Sequence, residues 1–289
     1  MKKVLLIAGL ICIYFSSCSN DGNELSESKN QNGKELARAV NISTRAGLGT
    51  GTVGLYMVYD EMIGTGNYID NLSLTSNSQG DWSPESTIYW KDNNSAASFI
   101  GYAPYSGSVS NALSYGFSVL QDQSTADAVN ASDFVWGKLS AQEPTDRMLN
   151  LTLNHIMSRV VVIVAPGEGF TQDELKNGTL SVKLDGMKTN ANINLSDGTI
   201  QATGSVSTIK PCKENDLQYT AIVVPQTVNS TGIVTVTWNG GDYILTRGIT
   251  FEPGKSYSLT VNLKKTQGGI NVGIGDWEDA GEDYGGTVY

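Results

Sequence analysis

Histidine is nearly absent from this chain, which contains a single copy, His155, among 289 residues. A metal site built from several histidines is therefore excluded, and a Ser-His-Asp or Cys-His triad has one imidazole to draw on. That imidazole lies in "LTLNHIMSRVVV", between an alternating stretch and an apolar run, which favours a packed structural histidine. We expect no catalytic residues, no bound metal and no cofactor.

Basic residues are also under-represented, since 19 Lys and Arg stand against 29 Asp and Glu and give a net charge of -10. Such a surface repels nucleic acid phosphates, and no basic patch reverses that sign. The acidic residues are densest near the C-terminus, where the regular spacing of a calcium-binding loop is absent. We therefore predict a solvated acidic tail, containing Asp276, Glu278, Asp279, Glu282 and Asp283.

Long hydrophobic runs are missing except at residues 4–15, which follow Lys2 and Lys3. This run is shorter than the roughly 20 residues that a membrane-spanning helix needs, so residues 1–17 are interpreted as an export signal. The exit sequence "YFSSC" predicts a lipidated Cys18 as the new N-terminus, although Phe15 stands where Leu is usual. The alternative is a secretory signal that is cut elsewhere.

Cysteine usage is consistent with export. Cys12 lies inside the signal and Cys18 is the candidate lipid site, so the mature chain keeps only Cys212 and forms no internal disulfide. Residues 19–35 are rich in Ser, Asn, Gly, Glu and Lys, which is typical of a flexible tether. The folded part is expected to begin after this tether and to be stabilised by packing.

The dominant pattern after the tether is period-two alternation, which predicts half-buried antiparallel strands. It is clearest in "TVGLYMVY", "LNLTLNH" and "SYSLTVNL". Tight turns are predicted at Ser-Asp-Gly, residues 196–198, and at Asn-Gly-Gly, residues 239–241. One short helix is predicted at residues 171–177, where Thr171 and Glu174 have the spacing of a capping box. The chain is thus predicted to be an all-β sandwich protein with short helical insertions.

A domain boundary is predicted near residue 147. The segment "AQEPTDR" is a polar connector that contains a proline, and the strands after it are longer and more regular. This gives an N-terminal domain at residues 46–147 and a C-terminal domain at residues 148–289.

Two functions, glycan binding and glycoside hydrolysis, are considered from the residues. Aromatic side chains could form a platform for a glycan, but at alternating strand positions they are more often core; they are Trp82, Tyr89, Trp90, Phe99, Tyr102 and Tyr105. A glycoside hydrolase would need two paired carboxylates, and no spacing singles out a pair among Asp81, Glu85, Asp92 and Asp133.

The order of several motifs resembles that of the fimbrillins, the type V pilus subunits of anaerobic Gram-negative bacteria. After the lipidation motif "YFSSC" and the tether come "STRAG", "IYW", "FIGYAPY", "DFVWGK", "LTLNHIMSRVVVIV", "GKSYSLTVNL" and "INVGIGDWEDAGE". The resemblance implies two tandem transthyretin-like (Greek-key) β-sandwich domains. It further implies a lipoprotein that reaches the cell outer membrane and becomes part of a cell-surface fimbria that supports adhesion, with other copies of itself and related pilus subunits as partners.

The resemblance also implies an assembly mechanism. An arginine-specific protease removes the N-terminal segment, which had completed the first sheet, and a strand of another subunit fills the groove by donor-strand exchange. Here the removable strand lies within residues 18–45, and cleavage is predicted between Arg45 and Ala46, with Arg38 as the alternative. The candidate donor, residues 270–277, presents Ile270, Val272 and Ile274 on one face. The same pattern also suits an ordinary last strand, so donation between subunits is left open, while a retained C-terminal strand favours the shaft role.

Overall fold

The computed structural model describes residues 38–45, 51–76, 82–229, 232–266 and 269–274. The helices within these residues are α1, Ala126–Ala131, and α2, Gln172–Asn177, with a short 3-10 turn at Ala112–Ser114. The strands are, in chain order, β1 Ile42–Arg45, β2 Val53–Val58, β3 Ile69–Ser76, β4 Trp82–Pro84, β5 Ala97–Ala103, β6 Tyr115–Ser118, β7 Val135–Gln142, β8 Leu149–Thr152, β9 Asn154–His155, β10 Ser158–Pro166, β11 Leu180–Ile193, β12 Ile200–Ile209, β13 Cys212–Lys213, β14 Gln218–Val223, β15 Gln226–Val228, β16 Val234–Trp238, β17 Gly241–Leu245, β18 Ile249–Phe251, β19 Ser256–Thr266 and β20 Gly269–Ile274. The predicted all-β class is confirmed.

The first sheet has the order β8-β1-β4-β3-β2-β5-β7-β9. Its central strands are buried on both faces: every residue of β2 and of β5 is buried. Leu55 and Met57 belong to one hydrophobic cluster, whereas Tyr56 and Val58 belong to another. The prediction that β2 is half-buried was therefore wrong, because apolar layers cover both sides of this sheet.

Two further sheets pack face to face around the cluster that contains Tyr56 and Val58. One has the order β13-β14-β10-β19-β20 and the other β12-β11-β16-β17. Val162 and Val261 come from the first of these sheets, and Val182 and Val236 from the second. Alternating burial along β16 and β19, with polar residues outward, is the pattern expected for the inner faces of a sandwich.

Local turn and cap chemistry matches the sequence predictions. Asn239 and Gly240 take positive φ values of 47° and 83° and join β16 to β17, as a two-residue hairpin requires. In α2 the Thr171 hydroxyl accepts a hydrogen bond from the Glu174 N–H, and the Glu174 carboxylate accepts one from the Thr171 N–H. This is the predicted capping box.

Strand β11 differs from its prediction. The sequence indicated two strands, "TLSVKLDGM" and "ANINL", but residues Leu180–Ile193 form one strand. The register with β12 shifts between Leu184 and Met187, where Gly186 has a φ of +74°. A bulge of this kind bends a strand without ending it.

Strand pairing crosses the predicted domain boundary in two places. Strands β8 and β9, which follow residue 147, still pair within the first sheet, and β6 pairs with β11. The boundary between residues 147 and 148 stays a prediction. Along the described residues, no helix has both the length and the apolar character needed to cross a membrane.

Candidate functional site: the N-terminal strand of the first sheet

Strand β1 lies inside the first sheet, with a neighbour on each side. It runs parallel to β8, with Ile42 opposite Leu149 and Thr44 opposite Leu151, and antiparallel to β4 through the pair Thr44 and Trp82. A short segment at the N-terminal end of the fold therefore fills a gap between two strands that come from distant parts of the chain.

Backbone hydrogen bonds extend this pairing upstream of β1. The Val40 N–H donates to the Ile88 carbonyl oxygen at 2.7 Å, and the Trp90 N–H donates to the Arg38 carbonyl oxygen at 2.9 Å. On the other side, the Leu149 N–H donates to the Asn41 carbonyl oxygen at 2.8 Å. Residues 38–45 thus bridge two separate stretches of the sheet through backbone pairing.

The apolar residues of this segment are buried as the alternation predicted. Val40 is 6% exposed and Ile42 is 4% exposed, whereas Asn41 between them is exposed. Both belong to the hydrophobic cluster that contains Trp82, Trp90 and other residues of the first sheet. Since burying such a side chain is worth about 1.5–3 kcal/mol, loss of the segment would expose a costly apolar groove.

Arg38 is held in place by the connector that follows β7. Its guanidinium donates to the Pro144 carbonyl oxygen at 2.9 Å and lies 3.3 Å from the Asp146 carboxylate. The Asn41 side chain adds a hydrogen bond to the Asp146 carbonyl oxygen at 3.0 Å. A protease that cleaves after Arg38 would first have to break these contacts.

Arg45 occupies a different position, as the last residue of β1. Its side chain, Ala46 and residues 47–50 lie outside the described residues. Cys18 likewise lies outside them, together with the whole segment before residue 38.

The candidate donor forms strand β20 at the edge of its own sheet. It pairs antiparallel with β19, with Val272 opposite Leu263, Ile270 opposite Lys265 and Ile274 opposite Val261. Within the single chain, β20 is thus an ordinary last strand with β19 as its sheet neighbour. The side chains of β20 and residues 275–277 lie outside the described residues.

The aromatic cluster is mostly core, as the sequence favoured. Trp82 and Trp90 are each 3% exposed, and Phe99 and Tyr102 are fully buried. The Trp90 and Phe99 rings meet edge to face at 5.6 Å. Tyr89 is exposed, but these buried rings offer no stacking platform to a sugar.

His155 is exposed, so the prediction of a packed histidine was wrong. Its Nδ1 lies 2.6 Å from Oδ2 of Asp133, a carboxylate that is mostly shielded from solvent. This hydrogen bond raises the pKa of His155, and the partial desolvation of the imidazole beside Asp133 opposes the shift. The pairing is physically sensible because a shielded carboxylate needs a partner.

The remaining candidate acids show structural roles or none. Asp92 accepts hydrogen bonds from the N–H groups of Asn94 and Ser95, which lower the pKa of its carboxyl. Asp81 lies outside the described residues. Among the residues that the structure describes, no group of three or more His, Cys, Asp or Glu side chains could hold a metal ion.

The His155 and Asp133 contact predicts a pH dependence. Because the folded-state pKa of His155 is raised, the stabilisation is fully present below the unfolded pKa of about 6.5 and is lost as the pH rises through the folded value. The difference in unfolding free energy between wild type and His155→Gln should therefore be larger at pH 5.5 than at pH 9. Urea denaturation at both pH values measures it, with Asp133→Asn as the matched control that should behave alike. An equal difference at the two pH values would contradict this account.

Comparison with known proteins places this architecture in a family. A family model described as fimbrillin-like matches residues 38–277, whereas a comparison with curated proteins found no match. A crystal structure of a proposed cell-adhesion protein from Bacteroides uniformis is similar, with a TM-score of 0.64 and 19% identity over 86% of this chain and 100% of that one.

Two other solved structures share the fold. A second proposed cell-adhesion protein, from Bacteroides ovatus, has a TM-score of 0.62 at 14% identity, covering 83% of this chain and 96% of that one. The tip fimbrial protein Mfa3 from Porphyromonas gingivalis, truncated at its C-terminus, has a TM-score of 0.53 at 11% identity, covering 84% of this chain and 100% of that one. Since the family model spans most of the sequence, this chain belongs to the fimbrillin-like family.

Proposed function

We propose that this protein is a structural subunit, of the shaft type, of a cell-surface fimbria that supports adhesion. It is made as an outer-membrane lipoprotein, cut by an arginine-specific protease after Arg45, and polymerised by donor-strand exchange. The observation that carries the proposal is the position of β1, an N-terminal strand that lies between β8 and β4 rather than at a sheet edge.

Removing β1 would leave a groove that offers an incoming strand both unpaired backbone groups and apolar pockets. The backbone groups of β8 and β4 that pair with β1 would lose their partners, and the pockets of Val40 and Ile42 would open. A strand from another copy can supply hydrogen bonds to these backbone groups and apolar side chains to these pockets. Residues 270–277 have the required alternation, with Ile270, Val272 and Ile274 replacing the lost apolar residues.

The contacts of Arg38 favour Arg45 as the cleavage point. Cleavage after Arg38 would leave residues 39–45 paired in the sheet, so no groove would open. Cleavage after Arg45 separates the whole of β1 from the residues that follow. Proteolysis is disfavoured where a residue is held by tertiary contacts, and the Arg38 guanidinium is held by Pro144 and Asp146. Arg45 pairs with Thr152, but as the last residue of β1 it lies where a strand opens first.

Protease treatment tests the proposal directly. Recombinant protein comprising residues 19–289, incubated with an arginine-specific protease, should give a ladder of stable multimers whose N-terminal residue is Ala46. Non-reducing electrophoresis without boiling and N-terminal sequencing measure this. A product that starts at Ala46 and stays monomeric would contradict strand exchange.

Cys18 offers a second test, of the export step. Cys18→Ser should abolish incorporation of radiolabelled palmitate, because the thiol is the proposed attachment atom. Cys212→Ser is the matched control and should incorporate label at the wild-type level. Equal labelling of the two variants would show that Cys18 is not lipidated.

A further inference from the structure

A further arginine lies in an exposed connector that the N-terminal segment holds against the fold. Residues 143–148 join β7 to β8. Arg147 and Met148, at the end of this connector, are both exposed, Met148 to 57%. Whether such a site is cleaved depends on the burial and hydrogen bonding of the backbone around it, so the contacts of the connector decide its fate.

Two other arginines beyond residue 45 are less suited to cleavage. Arg159 lies in β10, which pairs with β14 on one side and with β19 on the other. Arg247 is half-buried in the three residues that link β17 to β18. Both become cleavable only when much of a sheet opens, whereas Arg147 needs only local opening of its connector.

Hydrogen bonds from residues 38 and 41 hold this connector. The Arg38 guanidinium donates to the Pro144 carbonyl oxygen, and the Asn41 side chain donates to the Asp146 carbonyl oxygen. The ion pair of Arg38 with Asp146 adds little, because the Asp146 side chain is 78% exposed. Among the described residues, no other hydrogen bond ties residues 143–148 to a distant part of the chain.

The strand that follows the connector depends on the same segment. Strand β8 lies at the end of the first sheet, where its neighbour is β1. The Leu149 N–H also donates to the Asn41 carbonyl oxygen at 2.8 Å. Loss of residues 38–45 would therefore leave β8 without a strand neighbour, held by buried leucines such as Leu151, which is 1% exposed. The connector and β8 would lose their backbone partners together.

We infer that Arg147 is a second, masked cleavage site for an arginine-specific endopeptidase, opened when residues 38–45 leave the sheet and closed when another strand pairs with β8. Hydrolysis adds water across the Arg147–Met148 peptide bond and leaves a carboxylate on Arg147 and an amino group on Met148. Cleavage of a transiently opened segment follows the population of the open form, so loss of the contacts raises its rate. The inference rests on the proposed removal of the N-terminal segment for its trigger.

Cleavage at this position would disable a subunit whose groove stays empty. Strand β9 pairs with β7, and β6 pairs with β11, so the fragments on either side of Arg147 stay associated after the cut. The new chain end at Met148 lies one residue before β8, the strand that forms one wall of the vacated groove. Chain ends open more easily than continuous chain, so this wall would no longer be fixed for an incoming strand.

Variants that release the segment without cutting it test the inference. The reference protein comprises residues 19–289 with Arg38→Lys and Arg45→Lys, which leave an arginine-specific endopeptidase no site in the N-terminal segment. Adding Ile42→Asp places a charge at a buried position and should release β1. Cleavage after Arg147, followed by mass spectrometry over time, should then be at least tenfold faster than in the reference. Arg147→Lys in the same background should abolish this product.

A milder variant keeps the test decisive if Ile42→Asp unfolds the protein. Arg38→Ala and Asn41→Ala, combined with Arg45→Lys, remove the hydrogen bonds to the connector and leave Ile42 in place. Cleavage after Arg147 should be at least threefold faster than in the reference. The rates of cleavage after Arg159 and Arg247 should not change, because these two arginines report opening of the whole fold.

Three results would overturn the inference. The first is an equal rate of cleavage after Arg147 in the reference and in both variants. The second is cleavage after Arg147 that appears only together with cleavage after Arg159 and Arg247, since the fold would then open as a whole. The third is rapid cleavage after Arg147 in the reference itself, which would show that the segment does not mask it. Because Arg45 is replaced in every arm, these results are independent of the proposed maturation at that residue.

Discussion

Arg45→Ala should abolish protease-induced multimers and leave a folded monomer, whereas Arg38→Ala should still polymerise. The reason is geometric: β1 ends at Arg45, so only a cut after this residue separates the strand from the rest of the fold. With that cut blocked, residues 38–45 stay paired to β8 and to residues 88–90, and no groove opens.

The matched pair of variants separates cleavage from stability. Arg38→Ala removes the contacts to Pro144 and Asp146, and it should speed strand release if it has any effect. Multimer yield, measured by size-exclusion chromatography after protease treatment, should fall to background in Arg45→Ala alone. Loss of multimers in Arg38→Ala, with wild-type yield in Arg45→Ala, would assign the cleavage to Arg38.

Trp90→Ala should lower the free energy of unfolding by about 3–5 kcal/mol, the usual cost of truncating a buried aromatic side chain. Trp90 is 3% exposed and packs edge to face on Phe99 within the cluster that also holds Val40 and Ile42. Chemical denaturation monitored by circular dichroism measures the change.

Two matched variants sharpen this test. Trp90→Phe keeps an aromatic ring and removes an indole N–H that has no hydrogen-bond partner among the described residues, so it should cost clearly less than Trp90→Ala because the cavity it leaves is smaller. Tyr89→Ala, at the exposed neighbouring position, should change stability by about 0.5 kcal/mol or less. If Trp90→Ala instead left stability unchanged and abolished binding to a glycan, the protein would be a glycan-binding lipoprotein and its ring a ligand contact.

The alternation of apolar and polar residues predicted the strands that have one solvent-exposed face. Strands β8 and β19 show the buried and exposed positions that "LNLTLNH" and "SYSLTVNL" indicated. The capping box at Thr171 and the hairpin at Asn239 were equally predictable, because these features depend on neighbouring residues only.

Strands without apolar alternation were missed. Strand β12, "IQATGSVSTI", is partly or fully exposed except at Ile209, and β3 is interrupted by Asn71 at a positive φ of 50°. Both form because neighbouring strands offer backbone partners, β11 for one and β2 for the other. Burial of β2 on both faces was missed for a related reason, since a second layer covers the sheet from a distant part of the sequence.

The sequence by itself determined the all-β class and the matching alternation of residues 40–43 and 270–274, and it proposed the export signal and the candidate residues Cys18 and Arg45. These properties depend on composition and local period. Only the tertiary structure decided that β1 lies between β8 and β4, that Arg38 is held by Asp146, and that apolar layers cover both faces of β2. Each of these depends on residues that lie far apart in the chain, and no local pattern encodes such a meeting.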